Sequence, residues 1–195
     1  NCQSFYRKKL NILDDIGRNI MEVNIRKIVL TALFAALTCV ATMIIKVPTL
    51  GTNGYVNIGD TIVLLSAWII GGVYGSLAAG IGSAFADIFS NYGTYAPGTF
   101  AIKFCMAIVA YAILIALKKI NVNKVIGYIV GGIVAEAVMV IGYFLYESTL
   151  LGYGVAAAGS IPSNMIQAAT CLVLAYVLIA VLESSKATSL IKKYI

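Results

Sequence analysis

Residues 60–86 read DTIVLLSAWIIGGVYGSLAAGIGSAFA, and after the leading aspartate no acidic or basic residue follows until Asp87. The run is too long for one comfortable membrane span and is broken by Gly71-Gly72, so it predicts two shorter helices packed inside a bilayer. Outward from it, residues 28–45 and 148–182 are also free of charge. The whole chain of 195 residues is 61% hydrophobic and 11% charged, with a mean hydropathy of +0.93. So little charge cannot clothe a water-soluble domain. The expected fold class is all-α: a polytopic, multi-pass protein of the cell membrane. At about 20 residues per span, the length leaves no room for a soluble catalytic or ATP-binding domain.

The first span is predicted over residues 27–45, stopped by Lys46, Pro48 and the turn-rich Gly51-Thr-Asn-Gly54. Asp60 is placed as the N-cap of the second helix. The third ends near Ser90-Asn91, residues 92–98 read as loop, and the fourth covers 99–117 with Lys103 in its first turns. The fifth covers 125–146, with Glu136 near its middle. The sixth starts at Pro162, a favourable first helical position, and ends near Glu183. Six transmembrane helices result, forming a single membrane domain over residues 21–195. Residues 1–20, which precede the first methionine, Met21, read as an N-terminal extension outside the fold.

All basic residues except Lys46 and Lys103 fall on one side of this arrangement, which by the positive-inside rule puts both termini in the cytoplasm. The basic residues thereby orient the bundle, and no nucleic-acid partner is expected. The chain has no histidine, which removes His-ligated metal sites and Ser-His or Cys-His nucleophile pairs. Cys2, Cys39, Cys105 and Cys171 are widely spaced, with no CxxC, so a disulfide or zinc framework is not expected. No cofactor or metal is implied. The pairs Gly71 and Gly75, Ser76 and Gly80, Ala79 and Ser83, and Gly127 and Gly131 have the small-xxx-small spacing that lets helix backbones approach.

An ionisable group inside a span is costly and therefore a candidate for function. Asp60, Asp87, Lys103, Glu136, Glu147, Asn164 and Gln167 all fall in one half of the bundle or near its midplane. Glu136, Val140, Tyr143 and Glu147 follow steps of four, three and four along one helical stripe. Converging faces of this kind suit a small polar aromatic molecule, stacked on tyrosines or Trp68 and hydrogen-bonded around its edge. Other roles are open for some of these residues: Asp60 as a helix cap, Glu147 as an interfacial carboxylate, and Lys103 with Asp87 as a mutually neutralising pair.

Five segments in order carry a likeness: Gly54-Tyr-Val-Asn-Ile-Gly-Asp60, Ala86-Asp87, Tyr95-Ala-Pro-Gly-Thr-Phe-Ala-Ile-Lys103, Gly142-Tyr-Phe-Leu-Tyr-Glu147 and Ile161-Pro-Ser-Asn164-Met-Ile-Gln167. Together they resemble the S-components of energy-coupling factor (ECF) transporters. The likeness is strongest to the branch, loosely labelled riboflavin-type, that takes up hydroxymethylpyrimidine or forms of vitamin B6. The resemblance implies a six-helix subunit that captures a vitamin at the outer face. It would dock on a transmembrane coupling protein bearing two ATPase subunits and reorient to release its substrate inward. It also implies that Ala32 and Ala36 contact the coupling protein and that residues 48–57 form a lid. By motif position, the pocket would comprise Asn57, Asp60, Asp87, Tyr95, Lys103, Glu147, Asn164 and Gln167. Glu136 and Tyr143 join it from depth and periodicity, and Trp68 as a stacking ring. Pyridoxine is favoured over hydroxymethylpyrimidine, with riboflavin or another vitamin as the alternative. No Walker A sequence is present, so ATP hydrolysis falls to the partner. A stand-alone secondary transporter using the same carboxylates is the competing reading, although no inverted hydropathy repeat accompanies it.

Overall fold

A computed structural model describes residues 25–49 and 51–193, so the expected extension at residues 1–20 lies outside the described residues. Helix α1 spans Ile25–Ile44. Two three-residue strands, β1 (Lys46–Pro48) and β2 (Tyr55–Asn57), pair antiparallel with Val47 opposite Val56. Helices α2 (Asp60–Ile69), α3 (Gly72–Phe89), α4 (Ala96–Lys119) and α5 (Lys124–Leu145) follow. A π-helical turn at Tyr146–Leu150 and a 3-10 helix at Gly154–Ser160 lead into α6 (Ile161–Ser184), and a short α7 (Ala187–Lys193) closes the described chain.

The all-α membrane bundle is as expected, with one difference of length. Among the described residues, five helices are long and apolar enough to cross a membrane. The sixth expected span, α2, has ten residues, which rise only about 15 Å against a hydrocarbon core of roughly 30 Å. Its sequence explains why this is stable. Every residue from Val63 to Ile69 is buried, because a helix apolar on all sides is satisfied in the centre of a bundle, where it meets no lipid. α3, α4 and α6 pack around it.

The break between α2 and α3 is made by Gly71, whose φ of 72° is forbidding for a residue with a side chain and whose missing Cβ leaves room for the Tyr111 ring. Ser66 secures the corner by donating to the carbonyls of Val63 and Gly75. α4 lies between α3 and α5, both of which reach it through glycines. A Cβ on Gly80 would stand 2.9 Å from the Phe100 carbonyl oxygen, and one on Gly131 would stand 3.0 Å from that of Ala110. Small residues at the spacing seen in the sequence thus bring backbones together, as lipid-embedded helices require.

α1 docks by the same device. Phe34, Thr38 and Thr42 are its buried face, and Thr38 keeps its hydroxyl satisfied by donating back to the Phe34 carbonyl. A Cβ on Gly82 of α3 would stand 2.3 Å from the Ala35 carbonyl oxygen. Gly82→Val should therefore push α1 away and destabilise the bundle by on the order of 1–3 kcal/mol, read as a lower midpoint in detergent-induced unfolding followed by circular dichroism. Gly93→Ala, with nothing within 4 Å, should leave the midpoint unchanged. Equal midpoints for the two variants would show that α1 does not rest on Gly82.

Candidate functional site

Asp60 is completely buried and heads α2. The N-cap of that helix is Gly59, without a side-chain cap, so Asp60 does not serve as the cap expected from its position. The turn is made instead by Asn57, whose Oδ1 accepts from the Gly59 amide at 2.8 Å. The Asp60 carboxylate is thereby released for other partners. It pairs with the Lys103 ammonium of α4 and accepts a hydrogen bond from Gln167 Nε2 of α6. The Gln167 side-chain oxygen accepts from the Asn57 backbone N–H at 2.6 Å, which ties β2 to the same centre. Lys103 therefore makes its direct ion pair with Asp60 instead of Asp87, the pairing that the sequence left open, and acts on Asp87 only through its charge at longer range.

Because α2 is half the length of a span, its first residue lies below the ends of the longer helices. Lys103, the eighth residue of α4, and Gln167, the seventh of α6, meet it about 10 Å along their helices. Glu136, rising from the other end along α5, is 3% exposed and lies within electrostatic range of Asp60 and Lys103. Neither of its oxygens has a hydrogen-bond partner among the described residues.

Toward the hairpin, tyrosines meet the carboxylates one by one. Tyr55 of β2 donates to Asp87 Oδ1 at 2.7 Å, while Asp87 Oδ2 is buried without a partner among the described residues. Tyr95 donates to Glu147 Oε1 at 3.1 Å, and Ser160 donates to Glu147 Oε2 at 2.6 Å. The π-helical turn carries Glu147 inward: its side chain is 2% exposed, and its carbonyl accepts from the Tyr153 amide across the turn. This geometry removes the reading of Glu147 as a solvated interfacial carboxylate. Tyr143 shares a 3.0 Å hydrogen bond with Thr99, and Lys103 Nζ lies 5.2 Å from the centre of its ring. Burial raises the pKa of the Tyr55 phenol above its ordinary value, with Asp87 adding to the effect, and burial followed by Glu147 does the same for Tyr95. Both hydroxyls are therefore donors at physiological pH.

A small cavity of about 20 Å³ is lined by Thr49, Gly54, Tyr55, Asn57, Asp87, Tyr95, Thr99, Tyr143, Glu147 and Asn164. A wider hollow of about 440 Å³ is lined by residues of the hairpin and of the loop before α4, and Gly54 and Tyr95 line both. The partition is held by the Thr49 amide donating to the Gly54 carbonyl at 3.0 Å and by a 2.8 Å contact between the Thr49 and Thr52 hydroxyls. The loop expected at residues 48–57 is thus a hydrogen-bonded hairpin that closes the cluster.

Asn57, Asp60, Asp87, Tyr95, Lys103, Glu136, Tyr143, Glu147, Asn164 and Gln167 are brought together. Trp68 is not. It sits eight residues below Asp60, about 12 Å along α2. Its ring packs on Tyr128 with centroids 4.8 Å apart, and it lines a separate cavity of about 540 Å³ with Gly71, Lys118 and Lys124. The stacking role expected for it is corrected on that ground. Tyr55, Thr99 and Ser160 are members of the network that the sequence reading passed over. Tyr55 lay inside a quoted motif and Thr99 on the Lys103 face, whereas nothing distinguished Ser160. Ala32 and Ala36 lie elsewhere, exposed on α1 among the exposed Val29, Leu33 and Val40. Among the described residues, no group of three or more Cys, Asp or Glu is arranged to hold a metal ion.

Comparison with known proteins gives this arrangement a family. The chain is 33% identical over 120 residues, 61% of its own length and 76% of the relative's, to a Pyrococcus woesei protein described as "Uncharacterized protein in gap 3'region". It superposes with a TM-score of 0.64 on a chain from a study titled "Structure and mechanism of the S component of a bacterial ECF transporter". That match covers 83% of this chain and 97% of the other, at 23% identity, and so speaks for the fold. The family model of the ECF-type riboflavin transporter S component matches residues 22–184. With a buried acidic cluster beneath a hairpin, in a membrane bundle of matching fold and sequence pattern, the chain belongs to the S-component family of ECF transporters.

Proposed function

We propose that this S-component binds a small hydroxylated nitrogen heterocycle, pyridoxine ahead of hydroxymethylpyrimidine, in the cluster between Asp60 and the hairpin. Membership of the family makes the chain the vitamin-binding membrane subunit of an importer, not an enzyme, working with a coupling subunit and ATPases. What supports the finer reading is a surplus of acceptors. Asp87 Oδ2 and both Glu136 oxygens are buried without partners among the described residues, and each such group costs on the order of 1–3 kcal/mol until a donor reaches it. Pyridoxine offers three hydroxyl donors on one flat ring. The ring of riboflavin is larger and presents carbonyl acceptors, for which this cluster has few free donors, since Lys103 is already paired with Asp60. Four carboxyl groups against one ammonium also argue against a phosphorylated vitamin, whose charge they would repel. Tyr55, Tyr95 and Tyr143 supply the aromatic surfaces, in place of Trp68.

The ligand enters from outside in this reading, and both termini are cytoplasmic. Support comes from Lys27, Lys118 and Lys124, which gather at the end of the bundle away from the cluster, as the positive-inside rule requires of a cytoplasmic face. The exposed stripe of Ala32 and Ala36 is the coupling-protein contact, flat enough for a facing helix to approach.

Titration of the purified protein with pyridoxine, hydroxymethylpyrimidine and riboflavin, alongside mass spectrometry of small molecules extracted from it, tests the substrate. Tight binding of riboflavin alone would overturn the assignment. Glu136→Gln should weaken pyridoxine binding by about 10-fold or more, the loss of one charged hydrogen bond, and should preserve the fold because the carboxyl has no hydrogen-bond partner among the described residues to lose. Ala36→Leu should leave vitamin binding intact and reduce co-purification with the coupling protein and its ATPases. Unchanged recovery of the complex would remove that stripe from the interface.

A further inference from the structure

The cavity of about 540 Å³ at the end of the bundle opposite the carboxylate cluster is lined by Lys27 of α1, Lys118 of α4 and Lys124 of α5, three separate segments, and by no carboxylate among the described residues. Its walls are Trp68, Ile69 and Ile70 of α2, Tyr111, Leu114 and Ile115 of α4, and Gly127 of α5. Three like charges around one apolar recess repel one another unless an anion joins them. Glu183 answers only part of this: it pairs with Lys124 and accepts from the Tyr128 hydroxyl at 2.6 Å, yet it does not line the cavity. Lys27 and Lys118 have no carboxylate partner among the described residues. A further unmet donor is at hand, because the indole N–H of Trp68, 2% exposed, has no acceptor among the described residues.

A basic rim over an apolar recess fits a ligand that is anionic at one end and hydrocarbon at the other, and the volume is that of a small-molecule site. We propose that this cavity binds an anionic phospholipid, its phosphate among Lys27, Lys118 and Lys124 and an acyl chain against Tyr111, Leu114 and Ile115. The bilayer supplies such a ligand, and basic recesses between helices at the cytoplasmic side are where anionic headgroups are held. The site is independent of the vitamin pocket, which lies at the other end of α2.

Trp68 is the single tryptophan of the chain and lines this cavity, so its fluorescence reports on the occupant directly. The full chain is placed in nanodiscs containing equal fractions of phosphatidylglycerol or phosphatidylcholine brominated at mid-chain. Brominated phosphatidylglycerol should quench Trp68 about twofold or more beyond brominated phosphatidylcholine, and Lys27→Gln with Lys118→Gln should bring the two to parity. Circular dichroism and a monodisperse elution profile show that the double variant is folded, and Lys119→Gln, whose side chain is outside the cavity lining, should keep the preference. Equal quenching by the two lipids in the unmodified chain, or a preference that survives loss of both lysines, would overturn the proposal. Relief of the quenching by millimolar inorganic phosphate would also overturn it, in favour of a free anion. So would relief by an acidic peptide at equal headgroup content, in favour of a protein segment.

Discussion

A carboxylate carried to the middle of a membrane bundle must be neutralised or stay protonated, and here Asp60 meets a lysine from another helix. Around that pair the chain is drawn together. α2 contributes the acid, α4 the base, α6 the amide of Gln167, and the hairpin donates its Asn57 backbone N–H to the same amide. Three helices far apart in sequence, with the hairpin that leads directly into α2, thus share one electrostatic centre, and breaking it would leave an unpaired charge in a low-dielectric interior. The short length of α2 belongs to the same constraint, for a full-length helix would carry its first residue to the interface, where water could serve in place of Lys103.

The rest of the site is built outward from that pair by packing. Glycines let α3 and α5 close on α4, which brings Asp87 and Tyr143 to the side on which Lys103 lies. The π-helical turn then redirects Glu147 into the same space, toward Tyr95 and Ser160. Each carboxylate at the hairpin end receives a phenol, whereas the deeper Glu136 receives none. The oxygens left over are Asp87 Oδ2 at the hairpin end and both of Glu136 at depth, while Asp60 between them is held by Lys103 and Gln167.

Much of this could be read in the sequence because charge is so rare in it. In an uncharged background, Asp60, Asp87, Lys103 and Glu136 announce themselves, and steps of three and four residues assign Tyr143 and Glu147 to one stripe. The failures have equally physical sources. Asp60 looks like a helix cap because caps are local, whereas its partners, Lys103 and Gln167, are distant in sequence. The chemistry of Trp68 suggests a stacking ring, whereas eight residues of helix carry it to the far cavity. The strand pairing within the expected lid at residues 48–57 is not legible, because three-residue strands leave almost no periodic signal. Tyr55 and Ser160 were overlooked because tyrosines crowd membrane interfaces and serines occur everywhere.

The tyrosine-to-carboxylate bonds of the hairpin carry an implication for exchange. Tyr55 and Tyr95 already occupy lone pairs on Asp87 and Glu147, so in the closed form the protein acts as its own surrogate guest. On the proposed function, a hydroxylated visitor to the cavity would trade hydroxyl for hydroxyl there, with little change in the hydrogen-bond count. Discrimination would then fall to the oxygens that no tyrosine occupies, Asp87 Oδ2 and both of Glu136.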